Sequence, residues 1–367
     1  MAGTSGTMAP ARDHDTEDIG ARMTLENQTL TGLRHQLILF CRAQTGDPGA
    51  SICGVEVMPG HAGFSYGFTT RYQEDGRHRE ESFVLRLPPP GVKLEGTADV
   101  LRQVRVLQAL QGSRVPVVPV RWYGDDPRWF GRPYFAVPKL TGDTLRMQEG
   151  EWAANLDRET LRGMALKAID ALAALHSLDW QVTIPEWGSA LDMELDVNRW
   201  DRFWERAADP EMVKLGPEVK RRLLARLPAA PHIGIYHGDF QWTNLFYGEA
   251  RLLAVIDWEL AGVGPSLNDL GWLMVFSDPN SWIHEGRSTA PIPGPTELGQ
   301  MYANAIGRDP GDVSWFRALA GYKFAIIGGF NLMLHRRGKR DDPHWEMLAP
   351  SVPRLLERAL EVLDGAG

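Results

Sequence analysis

The sequence predicts an α+β fold: a sheet-forming N-terminal third, then a larger and mainly helical remainder. Two observations carry this. Between residues 52 and 137 short apolar runs alternate with turn signals, the mark of strands. Beyond Pro138 apolar residues recur three and four apart over long stretches, the mark of helices packing one face. A sheet segregated from helices in this way is α+β.

The elements follow in order. Thr24 is placed to cap a helix that buries Leu30, Leu33, Leu37, Ile38 and Cys41 on one stripe. Strands are expected at 52–58, 64–72 and 82–87, with Glu74-Asp75-Gly76-Arg77 as the turn of a hairpin. The run Pro88-Pro89-Pro90-Gly91 ends the sheet abruptly. Val100, Leu101, Val104, Leu107 and Leu110 then keep helical spacing, and strands at 117–123 and 134–137 complete a five-stranded, mostly antiparallel sheet. Helices are expected at 158–177, 197–207, 218–226, 314–336 and 343–363. The chain thus divides into a tail (1–23) that reads as disordered, an N-terminal lobe (24–137) and a C-terminal lobe (138–367).

Composition narrows the function. The 367 residues are 43% hydrophobic and 23% charged, as in an ordinary globular protein. A formal net charge of −8 argues against a nucleic-acid partner, which needs a basic face. Cys41 and Cys53 are the only cysteines, so no disulfide framework is implied and a cytoplasmic location fits. No apolar run is long enough for a membrane helix. The first residues lack the apolar core of a secretory signal. Oligomeric state is left open.

The densest chemistry lies in His237-Gly238-Asp239-Phe240-Gln241-Trp242-Thr243-Asn244, followed by Leu252-Leu253-Ala254-Val255-Ile256-Asp257. A kinase catalytic loop has the form H-x-D-x-x-x-x-N and is followed by a metal-binding Asp at the end of a strand. Phosphoryl transfer needs a carboxylate at the attacking hydroxyl and oxygen ligands that hold Mg²⁺ on the nucleotide phosphates. Asp239 is the expected base, and Asn244 and Asp257 the expected Mg²⁺ ligands. His237 is expected to anchor backbone, Gly238 to allow the turn before the base, and Glu259 to support the metal site or to be an exposed charge.

This segment, continued through Trp258-Glu259-Leu260-Ala261-Gly262-Val263-Gly264-Pro265 to Asn268-Asp269-Leu270, resembles the signature of the aminoglycoside phosphotransferase family. It is most similar to the branch that includes the kinase-like domains fused to some acyl-CoA dehydrogenases. The resemblance implies a bilobal, protein-kinase-like fold that uses ATP, or GTP, with Mg²⁺. It makes Gly60, Gly63 and Ser65 a phosphate loop and Arg86 the strand cation that kinases supply as Lys. It places Pro138 and Leu140 at the hinge that meets the purine, and Asp269 at a helix start that pins the catalytic loop. Where relatives carry a Glu to hold the strand cation, this chain has Gln103; either the uncharged amide serves, or the alignment slips and Glu95 or Asp99 does.

The acceptor is the least legible part. Trp242 in the loop, and Asn198, Trp200 and Trp204 on one expected helix, are candidate acceptor contacts or core residues. The partner implied is a small hydroxyl-bearing molecule: an antibiotic, another natural product or a hydroxyacyl metabolite. The complete set Asp239, Asn244 and Asp257 favours an active O-phosphotransferase. The altered glycine loop and Gln103 favour the alternative, a nucleotide-binding module with little transfer.

Overall fold

The structure is a computed structural model that describes residues 15–58, 64–146, 151–283 and 290–365, with side chains of the first helix from Leu30 onward. In chain order the first elements are α1 (Asp15–Thr45), β1 (Ser51–Val57), β2 (Phe64–Glu74), β3 (Arg77–Leu87), α2 (Val100–Leu110), β4 (Trp122–Gly124), α3 (Pro127–Phe130) and β5 (Tyr134–Pro138). The five strands form one sheet in the order β1-β2-β3-β5-β4, with antiparallel neighbours throughout. Contacts divide the chain into two compact units, Met1–Lys93 with Arg121–Lys139, and Leu94–Val120 with Leu140–Gly367.

The first unit is built on the β2–β3 hairpin, paired from Phe64↔Leu87 to Glu74↔Arg77 across a two-residue turn at Asp75 and Gly76. β3 begins at Arg77, earlier than expected from apolar content, because the outer ladder is charged and paired: Arg71 Nε meets Glu80 Oε2 at 2.7 Å. Leu33, Leu37, Phe40 and Cys41 of α1 are buried together with Phe68, Phe83, Leu85, Trp122 and Tyr134. Phe40 lies edge-on to Trp122 and Tyr134, at 5.6 and 5.2 Å between centroids, a geometry in which ring edge meets ring face. Thr24 does not cap α1: the helix already runs from Asp15, and no proline interrupts the Arg, Met, Leu and Glu residues around it. The remaining tail, residues 1–14, lies outside the described residues.

In the second unit follow β6 (Asp143–Thr144), α4 (Arg158–His176), α5 (Trp180–Thr183), α6 (Met193–Asn198), α7 (Asp201–Trp204), α8 (Gly216–Ala225), β7 (Ile233–Tyr236), β8 (Leu245–Gly248), β9 (Arg251–Val255), β10 (Gly262–Pro265), α9 (Leu267–Phe276), α10 (Pro295–Ile306), α11 (Val313–Arg336), α12 (His344–Leu348) and α13 (Ser351–Leu363). β6-β8-β9 form one small sheet and β7 pairs with β10. α2 groups here because the Arg102 guanidinium donates to the carbonyls of Glu259 (3.2 Å) and Ala261 (2.5 Å). α9 and α11 touch backbone to backbone, since a Cβ on Gly271 would sit 2.5 Å from the Phe316 carbonyl.

Three expectations are corrected. Residues 117–121 are not strand: Pro116 and Pro119 lack the N–H that a ladder needs, and β4 starts only at Trp122. The helix expected at 197–207 is two short pieces, α6 ending at Asn198 and α7 starting at Asp201, with Trp200 O accepting from both Phe203 N at 2.9 Å and Trp204 N at 3.3 Å. The helix expected at 343–363 breaks at Ala349-Pro350 into α12 and α13, as proline lacks the N–H for a continuing helix.

α6 is tied to α11 by a buried ion pair. Lys323 Nζ donates to Asp196 Oδ2 and, at 3.3 Å, to Asn268 Oδ1. Burial pulls the ammonium below its usual range and Asp196 offsets part of that. Lys323→Met is expected to cost about 3 kcal/mol in urea unfolding, since it strands a buried carboxylate that keeps only Arg199. Adding Asp196→Asn should recover part of the loss; additive losses in that cycle would show that the pair is not coupled.

Candidate active site

The expected catalytic segment folds into one compact arrangement inside the second unit. His237 follows β7, and the residues up to Asn244 form a loop whose last turn is the 3₁₀ segment Trp242–Asn244. β8 then turns back through β9 to deliver Asp257. Ile256 N donates to Asn244 O at 2.9 Å, so the segments that carry Asn244 and Asp257 are clasped directly.

Asp269 fixes the loop. It sits in the first turn of α9 and is fully buried. Its Oδ2 accepts from His237 N at 2.7 Å and its Oδ1 from Gly238 N at 2.8 Å. His176 Nε2 lies 3.3 Å from Asp269 Oδ2, and His176 Nδ1 is 2.7 Å from the Tyr302 hydroxyl. The His237 ring is used for backbone: Nε2 donates to Ile256 O at 2.9 Å, so Nδ1 is the acceptor for Asp239 N at 3.2 Å. Gly238 has φ +88°, and a Cβ there would lie 2.4 Å from Leu260 O. No other residue fits this turn.

Three side chains hold Asp239. Asp239 Oδ1 accepts from Trp272 Nε1 at 2.7 Å and from Gln241 Nε2 at 2.8 Å; Oδ2 accepts from Asn244 Nδ2 at 2.8 Å. Asn244 Nδ2 also donates to Asp239 O at 2.9 Å. Burial pushes the Asp239 carboxyl above the usual carboxylate range and the charge of Asp257 pushes the same way, while the Trp272 and Asn244 hydrogen bonds pull it down.

The donor set fits a hard divalent cation. Both amide hydrogens of Asn244 are spent on Asp239, which turns its Oδ1 away from that carboxylate. Asp257, half-buried at the end of β9, is held at φ +62°, ψ +65°, a left-handed conformation that costs a non-glycine residue about 1 kcal/mol. One neutral and one anionic oxygen therefore stand on adjoining segments, the ligand chemistry that Mg²⁺ takes. Glu259 lies in the following 3₁₀ turn, half-buried, with its carbonyl accepting from Arg102.

The other expected residues fall as follows. Gly60 and Gly63 lie outside the described residues. Ser65 is buried on β2 and its hydroxyl accepts from Arg86 Nη1 at 3.3 Å, so the strand cation faces the same side as the serine. Pro138 ends β5, and Leu140, half-buried, is the first residue of the second unit's main segment. Gln103 is buried on α2, and its Nε2 has no partner among the described residues. Trp242 is a core residue, 3% exposed, with its indole N–H donated to Ser277 Oγ at 3.0 Å. Trp204 packs α7 on α8, its ring 2.8 Å from where a Cβ on Gly216 would sit. Trp200 lies against Phe203, at 5.8 Å between centroids, and Asn198 ends α6 half-buried. Sequence reasoning missed Gln241, Trp272 and His176. The signal for Trp272 was its place one turn after Asp269 on the same face of α9.

With this geometry in hand, comparison with known proteins is decisive on one point. Residues 63–316 match the model of the phosphotransferase enzyme family. The chain belongs to that family. Among curated proteins it is 26% identical over 296 residues to the mouse (Mus musculus) acyl-CoA dehydrogenase family member 11, covering 77% of this chain and 37% of that protein. The chain thus spans little more than a third of that relative. It is 28% identical over 214 residues to viomycin phosphotransferase of Streptomyces vinaceus, covering 53% of this chain and 66% of that protein. Among solved structures, a Ralstonia eutropha protein provisionally named an aminoglycoside phosphotransferase superposes with TM-score 0.73 at 21% identity, covering 91% of this chain and 98% of the other. The phosphotransferase APH(4)-Ia, solved with ADP and hygromycin B, superposes with TM-score 0.57 at 15% identity, covering 89% and 98%. The kinase-like α+β fold of this family is therefore the fold of this chain.

Two predictions follow from the loop. Gly238→Ala should displace Leu260 or the loop and lower melting stability by about 3 kcal/mol, with faster hydrogen exchange at the amides of positions 237 and 238; parent-like exchange would show that the turn tolerates a Cβ. The raised Asp239 carboxyl sets a pH trend. A carboxyl whose folded value lies above its unfolded value favours folding at low pH and loses that contribution as pH rises through the folded value. The stability of Asp239→Asn relative to the parent should therefore improve as pH rises through the carboxylate range, measured by urea unfolding; a flat or opposite trend would refute the assignment.

Proposed function

We propose that this protein is a small-molecule O-phosphotransferase, moving the γ-phosphoryl group of ATP to an acceptor hydroxyl. The observation that carries the reading is the placement of Asp239, Asn244 and Asp257 on one hydrogen-bonded loop and strand end, with Asp239 immobilised by three donors. A general base must be held within hydrogen-bond reach of the proton it takes. Three side-chain donors fix the direction of the Asp239 carboxylate, and its raised carboxyl suits proton acceptance from a hydroxyl.

Asn244 and Asp257 would hold Mg²⁺, which when bound would neutralise phosphate charge. Asp239 orients the acceptor oxygen and takes its proton at the carboxylate. Trp272 and Gln241 keep the carboxylate from rotating away, and Asp269 keeps the loop backbone from drifting. Similarity to viomycin phosphotransferase, and fold similarity to a protein solved with ADP and hygromycin B, support a nucleotide donor and a hydroxylated acceptor.

Beside the base stands a wall of rings. Trp272 meets Phe276 and Phe324, each at 5.7 Å between centroids, and Phe324 meets Trp282 at 5.4 Å and Trp345 at 6.1 Å. The nearby carboxylate of Asp278 is spent on Arg317 and Arg358. This surrounding suits an acceptor with an apolar ring face better than one that relies on many free carboxylates.

Asp239→Asn should leave Mg²⁺-dependent ATP binding intact and lower kcat by about 10² or more, as measured by ADP release over a broad acceptor panel; turnover equal to the parent's would sink the assignment. Asp257→Ala should abolish the tightening of nucleotide binding by Mg²⁺, because the anionic oxygen of the proposed pair is gone. Calorimetry with and without the metal decides it, unchanged metal dependence being the adverse result.

A further inference from the structure

A groove of about 980 Å³ lies in the second unit, on the α4–α10 side, away from the ring wall. Its rim carries Arg114, Lys167, Arg251 and Arg308 and a single acid, Asp170. Among the described residues none of these four cations makes an ion pair or a side-chain hydrogen bond. Many surface cations elsewhere in the same unit are paired, as Arg158 and Arg162 with Glu297, Arg221 and Arg222 with Glu218, and Arg336 with Glu346. A concentration of unpaired positive charge in a chain of net charge −8 repels itself until an anion is supplied. The effect reaches His232 at the edge of the groove, whose imidazole is held below its usual range by burial and by Arg308 and His176.

The floor is not ordinary surface. It includes His176 and Tyr302, both buried and bonded to each other at 2.7 Å. The other nitrogen of His176 reaches Asp269, the carboxylate that accepts from His237 N and Gly238 N. One side chain therefore separates the groove from the anchor of the catalytic loop.

We propose that this groove is a binding site for a compact polyanion, a small molecule carrying two or more phosphate groups, and that its occupancy is transmitted through Tyr302 and His176 to the Asp269-held loop. Two features favour a small molecule over a macromolecular surface. The volume falls in the range of small-molecule sites, and the groove descends to buried polar groups. The cations around the rim supply charge at several points, which suits linked phosphates better than one isolated ion. The binding part stands independently of the phosphotransferase reading; only a consequence for turnover rests on it.

The test uses the full chain and inorganic tripolyphosphate without Mg²⁺. Calorimetry should show saturable binding that weakens as salt is raised. Arg251→Glu with Arg308→Glu, both on the exposed rim, should weaken it about tenfold or more, and Asp170→Asn should tighten it about twofold. Binding should slow hydrogen exchange at the His237 and Gly238 amides. Tyr302→Phe should still bind tripolyphosphate but lose that slowing. Absence of saturable binding overturns the proposal. So does affinity in the charge-reversed variant within twofold of the parent, which would assign the binding to the nucleotide segment. Binding with unchanged exchange at both amides overturns the transmission. Tighter, competing capture of an acidic peptide or a duplex would make the groove a macromolecular interface and overturn the small-molecule assignment. The single variants Arg251→Ala and Arg308→Ala keep the first arm decisive should the double variant misfold.

Discussion

Both oxygens of the Asp269 carboxylate are occupied by the backbone of a single turn, His237 N on one and Gly238 N on the other. Such bonds from N–H to a buried carboxylate exceed neutral ones in strength. They also leave the turn no rotational freedom. His237 inherits its position from this pair and passes it to Ile256 O, and hence to the segment that carries Asp257. Asn244 is tied to the same segment from the other side through Ile256 N. The proposed base and metal ligands thus share a single reference point, set at the start of α9.

Asp239 is governed by opposing influences, with burial the largest. Burial and Asp257 favour its protonated form, while Trp272 and Asn244 favour the carboxylate. A fully dry carboxylate would not ionise near neutrality, and a fully solvated one would be a weak base. Donors arranged around a half-buried carboxylate favour its charged form while fixing its direction. Trp272 does this while presenting its ring to Phe276 and Phe324, so one residue serves the base and the wall beside it.

Much of this was legible in the chain. The loop from His237 to Asn244 is local, so spacing alone brought base, ligand and anchor together, and the apolar run before Asp257 had one reasonable conformation. The β2–β3 hairpin was announced by Asp75-Gly76. Legibility failed where a local pattern was overridden by a few backbone groups. Pro116 and Pro119 broke an apolar run that looked like strand, and Pro350 broke a helical one. Trp200 and Trp204 kept helical spacing without a continuous helix, because the chain leaves the helix at Arg199 and Trp200. Trp242 read as a candidate contact, yet its partner Ser277 is a tertiary one that spacing does not reveal. Gln241 and His176 were missed for the same reason: their roles are defined by bonds to Asp239 and Asp269, from the far side of a turn and from another helix.

The contact of α9 with α11 at Gly271 separates what can drift from what cannot. With the two backbones touching at the Phe316 carbonyl, α9 cannot slide along α11, and Asp269 and Trp272 keep their register however the outward face of α11 is furnished. Phe324 belongs to that face, one side of it half-exposed. A lineage could exchange such a ring for another and change what the wall admits, while the base stays where it is. On the proposed reading, diversification of acceptor choice and preservation of the chemistry fall to different residues of the same helix pair.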